Sequence, residues 1–186
     1  MSTPPASPDP ARNAAGPPFR VGHGFDLHRL EPLAPAGAGR PFILGGLSIE
    51  HDRGPVGHSD GDALLHAVTD ALLGAIAAPD LGTLFPDSDP AWEGADSARF
   101  LSAAVERVAA AGGVVANLDA TVICERPRIG PHRTAIREWL AAGLGIPIDR
   151  VNVKGKSHEQ VDAIGEGRAI AVHATVLVWF PGPGAS

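Results

Sequence analysis

HSDGDALLHAVTDALLG, residues 58–74, is the stretch on which the reading of the fold turns. It begins polar, with His58, Ser59, Asp60 and Asp62, and then turns apolar at helical spacing. That pattern predicts a helix over 60–77, with Ser59 or Asp60 as its N-cap. Within the helix Asp62, His66 and Asp70 recur every fourth residue and share one stripe.

Working upstream, FRVGHGFDLH (19–28) alternates like a strand, which turns Asp26 and His28 to the same face. One carboxylate and two imidazoles, from a strand and a helix, form a candidate zinc set of Asp26, His28 and His66. Zinc accepts N and O ligands, and a catalytic zinc keeps a fourth position open. A D-x-H pair alone is common, Asp62 and Asp70 could be solvated, and His66 could be a hydrogen-bonded core residue. The acidic loop ahead of the helix is what adds weight to the metal reading.

Working outward in both directions, strands alternate with helices. EPLAPAGAGR (31–40) reads as a flexible loop, and PFILGGLSIE (41–50) as a strand pair or a strand bent at Gly45-Gly46. Residues 79–97 form a long irregular stretch, functional or mobile. A helix over 97–111 ends at Gly112-Gly113. VVANLDATVICE (114–125) reads as a buried strand, and RPRIGPH turns into a helix over 133–142. VNVKGK (151–156) is a short strand, SHEQVDAIG a helical turn and loop, and AIAVHATVLVWF (169–180) the last strand. The expected class is α+β, a single domain whose mixed sheet is covered by helices on one face.

Composition narrows the function. The chain has 186 residues, 44% of them hydrophobic, enough for one domain with a real core. A net charge of -6 without a basic stripe argues against nucleic acid as partner. No run of about 18 apolar residues is present, so no membrane span is expected. The single cysteine, Cys124, fits a reducing, cytoplasmic setting. Residues 1–18, MSTPPASPDPARNAAGPP, read as a disordered Pro/Ala-rich tail, with a plastid transit function only weakly supported. Residues 181–186 read as a flexible tail, leaving 19–180 as the domain.

A second constellation is suited to phosphate. His58 and Ser59 precede a helix N-terminus, where backbone N–H groups favour anions, while Asp60 and Asp62 repel them unless a cation intervenes. Downstream, VKGKSHEQ offers Lys154, Lys156, Ser157 and Glu159. Ammonium and hydroxyl groups suit phosphate, and a carboxylate suits Mg²⁺. Taken alone, such a turn is more often plain polar surface.

RVGHGFDLHRL, GHSDGDALLHAVTDALLGAIAAPDLGTLFPDSDP and the VNVK segment leading to Glu159 together resemble the 2-C-methyl-D-erythritol 2,4-cyclodiphosphate synthase family, from about Phe19 to Phe180. The resemblance implies a homotrimeric phosphorus–oxygen lyase of non-mevalonate isoprenoid biosynthesis, with each active site between two subunits. The substrate would be 4-diphosphocytidyl-2-C-methyl-D-erythritol 2-phosphate; its 2-phosphate attacks the β-phosphorus, and CMP leaves. Asp26, His28 and His66 then match zinc ligands, and Glu159 a ligand of Mg²⁺ or Mn²⁺. His58, Ser59, Asp62 and Asp80 match positions that hold the erythritol and phosphate groups. Ser157 takes the place of a phosphate-contacting Thr. Pro127, Arg128, Ile129, Gly130 and Pro131 match the cytosine pocket, and Lys156 and Arg128 lie where cations meet the diphosphate.

Four positions depart from the family pattern: Ala163 replaces an aromatic, Glu166 an Arg, Arg168 a Glu, and His173 a Glu. The resemblance places them on the threefold axis, with Glu166 and Arg168 pairing across subunits and isoprenoid diphosphates bound weakly or not at all. Two other readings stay open from the residues alone: a zinc-dependent phosphohydrolase, and a metal-stabilised trimeric binding protein without turnover.

Overall fold

In the computed structural model, residues 17–86 and 88–182 are described. The tails assigned to 1–18 and 181–186 lie largely outside them. Seven strands and five helices run in the order β1 (Phe19–Pro32), β2 (Ile43–Leu44), β3 (Leu47–Ser48), β4 (Arg53–Pro55), α1 (Ala63–Ala75), α2 (Leu81–Leu84), α3 (Ser97–Ala110), β5 (Val114–Ile123), α4 (Arg133–Leu144), β6 (Val151–Lys156), α5 (Asp162–Gly165) and β7 (Ala169–Trp179). The main sheet has the order β4-β1-β7-β5-β6. Its pairs are antiparallel except β5 with β6, so the sheet is mixed as expected.

Alternation along β1 decides where the helices go. Gly22, Gly24, Asp26 and His28 share the face on which α1 lies. A Cβ on Gly22 would stand 1.8 Å from the Ala71 carbonyl oxygen, and one on Gly24 1.9 Å from that of Ala67. The two glycines let the helix backbone settle directly on the strand. α1 is buried nearly all round, under α3 and over β1 and β7. α3 buries Ser97, Phe100, Leu101, Ala104 and Val108, the single stripe of an amphipathic helix. α4 lies beside the edge strand β6, where Arg133 and Arg137 donate to the carbonyls of Val153 and Val151 at 2.8 and 2.7 Å. Those bonds occupy acceptors of an otherwise open edge.

The other face of the sheet carries only the single turn of α5, whose Ile164 packs on Ala169 and Ala171. Phe19, Val21, Phe25 and Leu27 of β1 and Val114 and Trp179 beside them are 42–63% exposed. This corrects the reading of 114–125 as a buried strand: β5 alternates, with Val115, Leu118, Ala120 and Val122 buried and the residues between them facing outward.

Three further differences have local causes. α1 starts at Ala63, not at residue 60, because Asp62 is its N-cap and accepts from the Leu64 and Leu65 N–H groups. β1 runs on to Pro32, and β4, only three residues long, pairs with its end. The 79–97 stretch holds α2 and a short 3₁₀ turn, packed by Phe85 against Phe100 and Trp92 at 4.7 and 5.0 Å between rings. The 41–50 segment is the expected strand pair, turning at Gly45 and Gly46 with φ of 61° and 77°.

Candidate metal centre and phosphate cleft

Strand β1 brings Asp26 and His28 to the helix face, and α1 delivers His66 from above. Asp26 Oδ2 stands 2.9 Å from His28 Nδ1 and 3.2 Å from His66 Nδ1. Ligand atoms of all three lie within 4.8 Å of one another. Two ligands of a tetrahedral zinc, each about 2.0–2.1 Å from it, would stand about 3.3 Å apart, so the spacing suits one ion. His28 Nδ1 is buried and, despite its nearness to Asp26, out of alignment for a hydrogen bond. A buried nitrogen with nothing to bond, turned toward a carboxylate and a second imidazole, is what a metal ligand looks like before the metal arrives.

Charge is poised accordingly. Burial alone would raise the Asp26 carboxyl, but the close approach of His28 and His66 and the attraction of their charge outweigh it and hold Asp26 well below the usual carboxylate range. Burial would lower His66, but the bond to Asp26 and its charge prevail and raise the imidazole.

The far side of His66 meets Ser97, a residue that the sequence reading passed over. Nε2 lies 2.9 Å from Ser97 Oγ and 3.3 Å from Ser59 Oγ, and the Ser97 hydroxyl reaches Asp60. Ser97 opens α3, thirty-one residues from His66, and no spacing rule links them.

A cleft of about 310 Å³ opens on this centre, lined by Asp26, His28, His58, Ser59, His66, Leu81 and Gly82 among others. His58 and Ser59 are among the lining residues, and Asp62 and Asp80 are not. Asp62 is fully buried; one oxygen caps α1 and the other accepts from Gly46 N–H at 2.7 Å, so neither is open to a ligand. Asp80 caps the neighbouring α2, accepting from Thr83 N–H, and the residues of this segment that line the cleft are Leu81 and Gly82. Asp70 does not join the triad either; it accepts from Leu81 N–H at 2.7 Å and so holds that segment at the mouth.

A larger cleft, about 660 Å³, lies at the β5–β6 end and is lined by Arg128, Ile129, Gly130, Pro131, Lys156, Ser157 and Glu159 among others. Of the expected residues Pro127 and Lys154 are missing from its wall; the Pro127 carbonyl accepts from Cys124 Sγ at 3.4 Å, and Lys154 Nζ donates to Asp119 at 2.6 Å. Ser157 Oγ donates to Glu159 Oε1 at 3.1 Å. Register places both clefts at one end of the sheet: Leu27 is opposite Ala171, Ala171 opposite Ile123, and Ile123 opposite Lys156. Three strand spacings, roughly 14 Å, separate them.

The departures from the family pattern are resolved as follows. Arg168 Nε donates to Glu166 of the same chain at 2.7 Å. Ala163 packs with Ile164, Ala169 and Ala171. His173 sits on the sheet face opposite α1, 3.1 Å from His23 and against the Phe25 ring.

Among the described residues no helix is long and apolar enough to cross a membrane. Residues 19–179 match the model of the YgbB family. Over 87% of its length the chain is 54% identical to a chloroplastic 2-C-methyl-D-erythritol 2,4-cyclodiphosphate synthase of Arabidopsis thaliana, covering 67% of that protein. It is 48% identical over 86% of its length to the synthase of that name from Burkholderia thailandensis, covering 95% of it. A Plasmodium falciparum IspF solved with CDP superposes with a TM-score of 0.76 at 32% identity, over 90% of this chain and all of that one. The triad geometry, the two clefts and these likenesses converge, and the chain belongs to the YgbB family.

Proposed function

We infer that this chain converts 4-diphosphocytidyl-2-C-methyl-D-erythritol 2-phosphate to 2-C-methyl-D-erythritol 2,4-cyclodiphosphate and CMP. The observation that carries the reading is the convergence of Asp26, His28 and His66 at the sheet end that also holds the Lys156–Glu159 cleft, in a chain about half identical to named synthases. In this reaction the 2-phosphate oxygen bonds to the β-phosphorus, and the bond from that phosphorus to the CMP oxygen breaks. The attacking group is already an anion, so no general base is required. Alignment and charge neutralisation do most of the work of such a transfer.

The residues divide that work. Asp26, His28 and His66 would hold a divalent ion, by their N and O donors Zn²⁺, and Glu159 would hold Mg²⁺ or Mn²⁺ with help from substrate phosphates. Bound there, the ions supply Lewis acidity and offset phosphate charge. His58 and Ser59 grip the phosphate or erythritol end. Ile129, Gly130 and Pro131 form the wall against which the cytosine lies. Lys156 and Arg128 neutralise the charge that gathers on the departing CMP, and the Ser157 hydroxyl donates to a phosphate oxygen.

A homotrimer with active sites between subunits accounts for the exposed apolar sheet face. Apolar residues gathered on an exposed sheet mark an interaction surface. A cytoplasmic setting agrees with Cys124, a buried free thiol.

Purified protein incubated with the cytidyl substrate and Mg²⁺ should release CMP and a cyclic diphosphate, followed by chromatography and ³¹P NMR. His66→Ala should abolish both. Inorganic phosphate in place of CMP would instead make the protein a hydrolase, and no turnover with metal bound would make it a binding protein.

A further inference from the structure

The His66 imidazole has two ends. Nδ1 faces Asp26 within the triad, and Nε2 points away from it, to the Ser97 hydroxyl at 2.9 Å. Ser97 is fully buried in the first turn of α3, and its hydroxyl reaches Asp60 Oδ1.

A count of protons decides the direction of these bonds. A serine hydroxyl has one proton to give, and a carboxylate offers only acceptors. Asp60 is approached by donors alone: the Ser97 hydroxyl, the Ser97 N–H at 3.0 Å and the Asp62 N–H at 3.2 Å. The Ser97 proton therefore goes to Asp60, and the Ser97 oxygen is left to accept. Its remaining partner is His66, so Nε2 must carry an N–H in either charge state, and Nδ1, which donates to Asp26 at 3.2 Å in the metal-free chain, is the nitrogen that can give up its proton to a metal ion. Ser59 Oγ, already accepting from Gly61 N–H at 3.2 Å, is a more distant second neighbour at 3.3 Å.

We propose that Ser97 and Asp60 form a positioning pair that fixes His66 in the Nε2–H tautomer and so presents Nδ1 to a divalent metal ion. Neither residue touches the ion. Two backbone bonds hold the pair together: Asp60 N–H donates to Ala95 at 3.1 Å, and Gly94 N–H donates to His58 at 2.7 Å. They seat the start of α3 on the loop that opens α1. A ligand on one helix is thus aimed by a hydroxyl on another. The inference rests on reading Asp26, His28 and His66 as a metal site, and it is independent of the reaction catalysed there.

The test uses the full chain with Zn²⁺ as probe, its affinity measured by competition with a chelator. Ser97→Ala should weaken binding by roughly 10–100-fold, the usual effect of removing a group that orients a histidine ligand. Ser97→Thr, which keeps the hydroxyl, should hold near wild-type affinity. Zinc bound by folded Ser97→Ala as tightly as by the wild type overturns the proposal. A check that needs no variant is long-range ¹⁵N NMR of histidine-labelled, zinc-loaded protein. The His66 proton should be on Nε2; a proton on Nδ1 overturns the proposal too. Neither readout depends on CMP release, so a failed synthase assay would leave this inference standing, and the reverse holds as well.

Discussion

At the scale of single residues, Asp26 and His66 hold each other in charged form while the metal is away. The raised imidazole and the lowered carboxyl share a proton that an incoming ion must displace. Zinc affinity should therefore fall as pH drops through the raised His66 value and level off above it. Calorimetric titrations in buffers of different ionisation enthalpy should detect proton release, largest on the acidic side. The same shifts bear on the metal-free fold. The His66 contribution to stability is complete below about 6.5 and is lost as pH rises through the raised value. The Asp26 contribution is present above about 3.8 and is lost as pH falls below it. Metal-free protein should gain most from the pair between those limits.

At the scale of elements, two contacts set how α1 meets its surroundings. Asp62 joins the start of the helix to the Gly45-Gly46 turn through three backbone N–H groups. Asp62→Ala removes the cap and leaves a buried N–H unpaired, so urea unfolding should record a loss of roughly 2–4 kcal/mol. Gly24 lies against the Ala67 carbonyl with no space for a methyl group. Gly24→Ala should cost at least about 3 kcal/mol and weaken zinc binding by lifting His66 from Asp26. Gly74→Ala is the contrasting case: its Cβ would meet nothing nearer than 3.8 Å, and loss of a helical glycine should leave stability equal or higher.

These elements also show what a sequence can reveal. Period-two alternation in β1 and period-four recurrence in α1 were enough to bring Asp26, His28 and His66 together, because both rules are local. The role of Ser97 was hidden, since it depends on two helices meeting end to face. The capping role of Asp62 was not separable in the sequence from a ligand's role, because both use the same side chain and only burial distinguishes them. β4 gave no signal; a Gly-Pro-containing triplet pairs only because β1 extends beneath it. The 79–97 segment looked irregular because the order in it comes from Phe85, Trp92 and Phe100, which are adjacent only after folding.

At the scale of the whole molecule, the exposed sheet face and the sheet end carry the consequences. Arg168 is already neutralised by Glu166 of its own chain. Geranyl diphosphate should therefore bind weakly or not at all, and micromolar binding in an equilibrium titration would contradict this. The two clefts lie at one end of the sheet but about three strands apart, each holding part of the donor set. If neighbouring subunits complete one another's sites, a defect is a property of an interface, not of a chain. His66→Ala and Glu159→Gln chains, each inactive alone, should regain CMP release when co-expressed, because a mixed trimer assembles one pocket from two undamaged halves. Two defective copies of one gene would then make a partly working enzyme, and inheritance at this locus would depend on which cleft each copy had lost.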